Sequence, residues 1–435
     1  MHRLQFHYTL AGNVGPAMSV PSGPSCPTGP SGFSSVAQVR NPLIDLLRAV
    51  SQAGSISAAA RAMKLSYRHV WGELKRWETV LGHELIVWDK GQAARLTEFA
   101  SKLMWAEAQA QARLAPQIEA LQNELERTFA IAFDDSAHVV TLYASHDDAL
   151  SRLRDHALQQ QSEPRLENRS GDAHGDGHGD GHGDGSGDGN LNGHAEAQGL
   201  GGAPSGRLHL DIRFTGSVDA IRALNEGRCV MAGFHTQQHP AISSLAARTY
   251  KPLLKPGLHK IIGFAERTQG LMVAPGNPLG LKNLHDVART GAGFVNRALG
   301  TGTRVLLDEL LAQAGLTSDA LSGYAHNEPS HTAVAQTIAS GSADTGLGIE
   351  QAARSRGLDF VPLLRENYHL VCLKSALEEP AIRALRTLLQ SKAWQQTLSG
   401  MPGYAPSSSG EVLALGKLLP WWSFRKKKGF FPRPI

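Results

Sequence analysis

The stretch GSISAAARAMKLSY, residues 54–67, sets the architecture of the N-terminal part of the chain. Gly54 is expected to end one helix, and the run after it predicts a second helix over residues 58–63, whose alanines let another helix approach closely. Residues 64–66 form a short turn, in which Ser66 can cap the next helix. Two helices joined by a tight turn are the elements of a helix-turn-helix.

The helix after the turn combines an apolar stripe with a basic exposed face. One buried face is indicated by apolar residues at spacings of four, three and four, namely Val70, Leu74, Trp77 and Leu81. A short hairpin around Lys90-Gly91-Gln92 is expected to form a wing that reaches phosphates. The residues expected to contact DNA are Ser66, Tyr67, Arg68, Gly72, Lys75, Arg76, Lys90 and Arg95.

A generic helical hairpin with a solvated basic face is the alternative to a DNA-binding domain. The net charge of +4 is too small to indicate nucleic-acid binding by itself. The predicted wing shifts the balance toward a winged helix-turn-helix, which we place at residues 1–96 with a flexible insertion at residues 11–35.

The same segment resembles a known family of DNA-binding domains. Residues 54–62, Leu65-Ser66-Tyr67, Trp71 and Leu96-Thr97 resemble the winged helix of the ModE-type molybdate-dependent regulators and, more loosely, the LysR group. The resemblance covers residues 41–127 and implies double-stranded DNA as the partner. The wing departs from the ModE pattern, which has a longer glycine-rich loop.

A long helix is predicted after Thr97, which can cap its first turn. An apolar seam runs along it at spacings of three and four, through Phe99, Leu103, Ala106, Ala110, Leu114, Ile118, Leu121 and Leu125. Packing on the chain's own domain is one use of such a seam. The other is a homodimer through residues 97–127, which the resemblance favours, and we place a linker helix at 97–130.

Length and composition indicate a two-domain protein of the reducing cytoplasm. The chain has 435 residues and 41% hydrophobic residues, which fits two folded domains. Cys26, Cys229 and Cys372 are too widely spaced for a disulfide framework or a metal finger. The first residues alternate polar and apolar side chains and do not resemble a secretory signal, and no apolar run is long enough for a membrane span.

Besides the insertion at residues 11–35, two segments are expected to lie outside the regular fold. Residues 160–206 contain an HGDG repeat and are expected to be disordered, because glycine loses much entropy on ordering and no apolar group compensates. Metal binding by the repeat's histidines is the alternative use of that segment. Residues 406–435 are expected to form a basic aromatic tail.

The remainder, residues 136–405, predicts an α/β domain. Strand candidates alternate with helices from residue 139 onward, and Leu208, Leu210, Ile212 and Phe214 share one strand face. Further strands are expected at residues 230–234, 271–274, 294–296 and 345–349. This alternation indicates βα units and mainly parallel sheets.

Four segments of this domain share a strand, then hydroxyl residues, then a helix start. Free backbone N–H groups and the partial positive charge of a helix start suit an anion. Ordinary capping explains any one of these segments, but four in one domain favour a shared oxyanion site. The residues expected to bind the ligand are Ser145, His146, Ser217, Arg297, Thr301, Gly302, Thr303, Arg304, Ser330, His331 and Thr332.

The domain also resembles a known family. Residues 267–271, 275–278, 296–297, 300–304 and 343–348 resemble the type II periplasmic-binding-protein domain found with molybdate regulators and molybdenum-cofactor proteins. The resemblance implies two lobes joined by two crossing strands, with the ligand between them. It also implies molybdate or tungstate as the effector. The sequence indicates no cofactor.

A cytoplasmic, one-component transcriptional regulator is therefore the leading interpretation, and no catalytic or metal-binding set stands out. His146 and Asp147 are neighbours at a helix start and do not face one another as an acid–base pair would. The alternatives are an accessory or biosynthetic protein of molybdenum cofactor metabolism, a regulator that senses an organic acid or a pterin, and a nucleoid-type DNA binder.

Overall fold

The computed structural model of the protein describes residues 41–87, 94–133, 138–160 and 207–422. The N-terminal domain begins with three helices: α1 (Pro42–Ala53), α2 (Ile56–Ala62) and α3 (Tyr67–Leu81). Gly54 ends α1 in the left-handed conformation, as expected, and the Ser66 side chain accepts a hydrogen bond from the His69 N–H at the start of α3. Helix α2 begins two residues earlier than predicted, because Ser55 caps it.

A two-stranded wing completes this domain. Strands β1 (Ile86–Val87) and β2 (Arg95–Leu96) pair antiparallel, which agrees with the predicted hairpin. The hairpin tip, including Lys90, lies outside the described residues. Val70 and Leu74 are buried and Trp77 and Leu81 pack against the same core, so the predicted stripe of α3 faces inward.

Helix α4 (Glu98–Phe133) leads from the N-terminal domain to the rest of the chain. The Thr97 hydroxyl accepts a hydrogen bond from the Ala100 N–H and so caps the helix, as predicted. Its 36 residues include Pro116, which lies inside the helix. None of the helices in the described ranges combines the length and hydrophobicity that a bilayer crossing requires.

The C-terminal domain has two lobes. Lobe 1 begins with β3 (His138–Ala144), α5 (Asp148–Gln160), β4 (Leu208–Phe214), α6 (Ser217–Asn225), β5 (Met231–Gln237) and α7 (Leu245–Tyr250). After the first crossing strand, β6 (His259–Val273), lobe 2 contains α8 (Leu284–Thr290), β7 (Phe294–Arg297), α9 (Gly302–Gln313), β8 (Asn327–Glu328), α10 (His331–Ala339), β9 (Thr345–Ile349) and α11 (Glu350–Arg354), with a short 3-10 helix at Ser318–Ala320.

The second crossing strand, β10 (Asp359–Leu373), returns the chain to lobe 1. There it forms a 3-10 helix at Lys374–Glu378, then α12 (Pro380–Gln390), α13 (Lys392–Ser399), β11 (Tyr404–Pro406), β12 (Val412–Ala414) and α14 (Leu415–Leu418).

One mixed sheet runs through both lobes in the order β4-β3-β5-β10-β6-β9-β7-β8. Pairs within a lobe, such as β3–β4 and β7–β9, are parallel, as the alternating pattern predicted. The crossing strands are antiparallel to each other and to β5 and β9, so the sheet as a whole is mixed. Register shifts in β10 fall between Pro362 and Leu364 and between Tyr368 and His369.

The boundary predicted at residue 405 is too early. Strands β11 and β12 both pair with β6, and Trp421 is 1% exposed in the core of lobe 1. Trp421, which was expected in the tail, therefore belongs to the folded domain, where its ring stacks on that of Tyr250. Residues 423–435 lie outside the described residues, as do residues 11–35 and the HGDG repeat.

Candidate functional site

The lobe 1 wall of the cleft is built from a loop, a helix start and a strand. Ser145 follows β3, Ser217 begins α6, and His235 lies in β5. The Ser145 and Ser217 hydroxyl oxygens are 3.3 Å apart, and the Ser217 Oγ is 3.4 Å from the His235 Nδ1. All three side chains are buried, so lobe 1 presents a connected row of polar groups.

The lobe 2 wall has a similar construction. Thr303 lies in the first turn of α9 and His331 in the first turn of α10. The Thr303 Oγ1 is 3.3 Å from the His331 Nε2 and 3.4 Å from the Gln269 Nε2 of crossing strand β6. Two predicted ligand residues of lobe 2 therefore meet each other, as Ser145 and Ser217 do in lobe 1.

The two walls are in contact, so the cleft is closed. A Cβ atom on Gly216 of lobe 1 would lie 2.6 Å from the Gly300 carbonyl oxygen of lobe 2. A Cβ atom on Gly302 of lobe 2 would lie 2.8 Å from the His235 Nδ1. Glycine at these two positions permits the lobes to approach this closely.

Two carboxylates hold one of the buried arginines in the cleft. Arg267 is 1% exposed in its side chain and forms ion pairs with Asp147 and Glu366. The Tyr404 hydroxyl donates to Asp147 at 2.9 Å, and the Gln269 Nε2 donates to Glu366 at 2.9 Å. Both carboxylates are therefore committed to structure, and Arg267 has little capacity left for a ligand.

Arg297 differs from Arg267 because no carboxylate among the described residues forms a direct ion pair with it. It ends β7, is 1% exposed, and its Nε and NH1 atoms have no hydrogen-bond partner in the described part of the chain. Burial, with Arg267 nearby, lowers the pKa of its guanidinium to about 9, although Asp147 opposes the shift. An unpaired buried donor is costly, so this position is complementary to an anion.

The cleft histidines are neutral polar groups. Burial, followed by nearby arginines, holds the pKa values of His235 and His331 well below the usual value. Each ring also keeps one nitrogen without a partner among the described residues, Nε2 in His235 and Nδ1 in His331. No group of three His, Cys, Asp or Glu in the described ranges is placed to hold a metal ion.

His146 and Ser330 were predicted to bind the ligand but contact the linker helix α4 instead. The His146 Nε2 lies 3.3 Å from a Glu119 carboxylate oxygen. The Ser330 hydroxyl caps α10 and donates to the Ala112 carbonyl oxygen at 3.3 Å. Both side chains are therefore engaged with α4 in this structure.

Two further predicted ligand residues, Arg304 and Thr301, make their contacts within lobe 2. Arg304 donates to Asn327 at 3.0 Å and lies over the Tyr324 ring. The Thr301 hydroxyl donates to the Ala298 carbonyl and accepts weakly from the Arg304 N–H, so it caps α9. Thr332 is half-buried beside His331.

Sequence reasoning missed His235 and the charged groups on the crossing strands. Arg267 and Gln269 are two residues apart in β6, and Glu366 is the register partner of Arg267 in β10. The signal in the sequence was the presence of charged and amide side chains, such as Arg267 and Gln269, within a segment that also forms a strand. It could not be interpreted without the strand pairing, which brings residues almost a hundred positions apart together.

The predicted DNA-contacting face of α3 is exposed. Tyr67 is 46% exposed, and a Cβ atom on Gly72 would meet nothing within 4 Å. Lys75 pairs with Glu78 at 2.6 Å and Arg76 with Glu73 at 2.6 Å, whereas Arg68 is exposed without an ion pair among the described residues. Arg68 is therefore the cation of this helix that is free to contact a phosphate or base.

The remaining predicted DNA contacts have other surroundings. Ser66 is exposed and caps α3 with its hydroxyl, so its side chain is already engaged. Arg95 is exposed on β2.

Comparison with protein-family models identifies both domains. Residues 43–101 match the model of the bacterial regulatory helix-turn-helix proteins of the lysR family. Residues 202–390 match the PBP superfamily domain. The chain therefore carries a LysR-type helix-turn-helix domain and a PBP-like domain.

Two relatives match parts of the chain. A Bacillus subtilis (strain 168) protein, YvgK, is 31% identical over 201 residues, which cover 46% of this chain and 64% of that protein. A Clostridium pasteurianum protein from the 5′ region of the 2Fe-2S ferredoxin gene is 34% identical over 110 residues, which cover 25% of this chain and 97% of that protein. The chain belongs to the same family as the second relative, and it spans less than two thirds of the first.

Solved structures of regulators resemble the chain only loosely. A Corynebacterium glutamicum OxyR mutant with bound H2O2 aligns at a TM-score of 0.37 and 14% identity, over 82% of this chain and 93% of that one. Full-length CbnR with its target DNA aligns at 0.35 and 12%, over 80% and 98%. ArgP of Mycobacterium tuberculosis aligns at 0.34 and 18%, over 84% and 99%. At these TM-scores the likenesses assign no function to this chain.

Proposed function

We propose that this chain, which joins a LysR-type helix-turn-helix domain to a PBP-like domain, is a transcriptional regulator controlled by a small anion. The helix-turn-helix reads double-stranded DNA, and the anion binds between the lobes as an effector. The observation that carries the proposal is Arg297, a fully buried guanidinium whose Nε and NH1 lack partners among the described residues.

The polarity of the cleft favours a small oxyanion. Asp147 and Glu366 both make their ion pairs with Arg267, which leaves Arg297 without a direct ion pair among the described residues. The hydroxyls of Ser217 and Thr303 lie at helix starts, where backbone N–H groups add further donors. Molybdate or tungstate offers only acceptor oxygens, and the resemblance to molybdate regulators selects these ions from other oxyanions.

A binding role is more consistent with the cleft than a catalytic one. Asp147 and Glu366 both pair with Arg267, and His146 pairs with Glu119 of α4. A general base must be free to reach the proton that it abstracts. We therefore propose a sensor rather than an enzyme, acting in the cytoplasm where the DNA is.

A thermal-shift screen of the full chain tests the effector. The panel contains molybdate, tungstate, sulfate, phosphate, small carboxylates and a pterin, with chloride as the control. A ligand that binds only the native state stabilises it by about 2.7 kcal/mol at a hundredfold excess over Kd. A clear rise in Tm with molybdate or tungstate is expected. A rise with a carboxylate or pterin alone would replace the oxyanion by an organic ligand.

The DNA-binding half of the proposal rests on the exposed face of α3. Arg68 and Tyr67 lie in its first turn, the part of a recognition helix that contacts base edges. Selection of protein-bound duplexes from a random pool should recover a two-fold-related sequence with half-sites about one helical turn apart. Recovery of no common sequence at physiological salt would contradict sequence-specific reading.

The homodimer is proposed to form through the exposed apolar side of α4. Leu121 is 57% exposed and Leu125 is 38% exposed, whereas Glu119 and Asn123 are buried against the C-terminal domain. Residues two apart point about 200° away from each other around a helix, so the apolar seam and the docked face are opposite. This arrangement leaves the C-terminal part of the seam, around Leu121 and Leu125, free for a second copy.

Leu121→Glu tests the seam. Because Leu121 is exposed in the single chain, the variant is expected to fold with unchanged Tm but to sediment as a monomer at concentrations where the wild type is a dimer. Gln396→Glu, which makes an exposed acidic change on α13, is the control and should remain dimeric. An unchanged dimer in Leu121→Glu would place the interface elsewhere.

A further inference from the structure

Helix α4 is docked across both lobes of its own C-terminal domain. On lobe 2, Arg113 pairs with Glu328 at 2.6 Å, and Gln109 donates to Glu328 at 3.1 Å and to Thr337 at 3.0 Å. Glu328 is 1% exposed, so this contact is anchored in the interior of lobe 2.

The following turns of the same helix are anchored to lobe 1. Glu119 accepts from Arg154 at 2.9 Å and lies 3.3 Å from His146, and all three side chains are nearly buried. Asn123 is fully buried and donates to the Ile212 carbonyl at 2.8 Å. One helix therefore holds two lobes through separate sets of polar contacts.

Pro116 lies in α4 between these two sets of contacts. Proline has no N–H, so in an α-helix it leaves the carbonyl four residues earlier without its usual donor. That carbonyl belongs to Ala112, and the Ser330 hydroxyl of lobe 2 donates to it at 3.3 Å. The carbonyl that lacks a backbone donor is therefore hydrogen-bonded by a side chain of lobe 2.

The residues that hold α4 are also next to cleft residues in sequence. His146 follows Ser145, which lines the lobe 1 wall, and Ser330 precedes His331, which lines the lobe 2 wall. Movement of either wall should therefore also move the neighbouring residue that contacts α4, because the two residues are joined by one peptide bond. The N-terminal half of α4 packs into the helix-turn-helix core through Phe99 and Leu103, so it carries that domain with it.

We propose that α4 is a lever, hinged at Pro116, that converts opening and closing of the lobes into a reorientation of the DNA-binding domain. The inference rests on the proposed function in that the lobes are its sensor. When the lobes separate, the anchors at Glu328 and Glu119 move apart, and the helix bends where the backbone hydrogen bond is missing. Ser330 is a positioning residue that holds the closed geometry.

A steric wedge tests the lever without any ligand or DNA. Gly216→Leu forces the lobes apart, because a Cβ at this position already meets the Gly300 carbonyl at 2.6 Å. Gly302→Leu, which meets His235 at 2.8 Å, is a second wedge with the same expected effect. Spin labels at Asp319 and Gln396, on exposed sites of the two lobes, confirm that each wedge opens the cleft.

The readout is the distance between spin labels at Lys102 on α4 and Gln396 on lobe 1, in Cys26→Ser protein diluted with unlabelled chain. Lys102 lies fourteen residues from Pro116, an arm of about 21 Å, so a bend of about 20° displaces it by about 7 Å. We expect such a shift in each wedge variant. Pro116→Ala restores the missing N–H and should reduce the shift by at least half.

Ser330→Ala provides a second variant in case Pro116→Ala alters folding. It should broaden the distance distribution of the closed form, because the Ala112 carbonyl loses its donor. An open cleft with an unchanged Lys102–Gln396 distance would overturn the lever. So would a change in that distance that is equally large in the wedge variants with and without Pro116→Ala. These distances do not depend on anion or DNA binding, so a negative thermal-shift screen would overturn the proposed effector and leave this result standing.

Discussion

Replacing Arg297 by methionine should stabilise the free protein and abolish its response to the anion. The wild-type guanidinium is 1% exposed and lacks partners at Nε and NH1 among the described residues. Methionine has a similar length and packs well in irregular apolar gaps. The variant therefore removes a buried charge that destabilises the free protein. It also removes the guanidinium that the bound anion requires.

The size of the effect follows from the burial of the charge. Replacing buried charged groups by well-packed apolar side chains often stabilises a protein by about 1–4 kcal/mol. At about 2 kcal/mol, the Tm of a domain of this size rises by about 4–8 °C. At a hundredfold excess of ligand over Kd the wild type gains about 2.7 kcal/mol, whereas the variant should gain almost nothing. The order of the two melting temperatures is then reversed by the anion.

Differential scanning calorimetry with and without molybdate measures both effects, and Arg304→Met is the matched control. Arg304 is also buried but donates to Asn327 and lies over the Tyr324 ring. Its replacement should lower Tm and preserve much of the anion response. If Arg297→Met lowers the Tm of the free protein as Arg304→Met does, then Arg297 is a satisfied structural group, and the reasoning that assigns it to a ligand is refuted.

Three further predictions concern the same two sites. Burial lowers the pKa of Arg297 to about 9 in the folded chain, below its pKa in the unfolded chain, so the cost of its charge is fully present below pH 9 and falls above it. The stability advantage of Arg297→Met, followed by urea unfolding, should therefore narrow as pH rises through about 9. Thr303→Val should weaken anion binding about tenfold in calorimetry by removing a donor, whereas Thr301→Val, which alters only the α9 cap, should retain affinity. Arg68→Ala should weaken binding to the selected duplex by at least about 1 kcal/mol at fixed salt, while Lys102→Ala on α4 should bind as the wild type does.

The N-terminal domain could be predicted in detail because its signals are local. Gly54 and Ser66 mark helix boundaries through their own backbone and side-chain chemistry, and the stripe from Val70 to Leu81 repeats within one helix. The crossing strand β10 was not predicted, because Pro362 and the charged Arg365 and Glu366 interrupt its apolar pattern. Its pairing with β6 is what makes that segment a strand.

The cleft was predicted only in part, because the contacts of its side chains depend on how distant elements pack together. A hydroxyl at a helix start can be recognised in the sequence, but the direction in which it points depends on which element packs beside it. Thr303, in the first turn of α9, contacts the cleft residue His331, whereas Ser330, the N-cap of α10, donates to the proline-interrupted turn of α4. Arg297 was predicted as a ligand residue, but its lack of a direct ion pair depends on the packing that places Asp147 and Glu366 against Arg267.

The position of the Arg267–Glu366 pair constrains how this protein can change its ligand during evolution. The two residues are register partners on the crossing strands, so one ion pair both offsets the charge of Arg267 and ties the two crossing strands together. We therefore expect a substitution there to change ligand charge preference and the stiffness between the lobes together. New effector specificities are therefore more accessible through Arg297 and the helix-start hydroxyls, which vary binding without altering the mechanics of the domain.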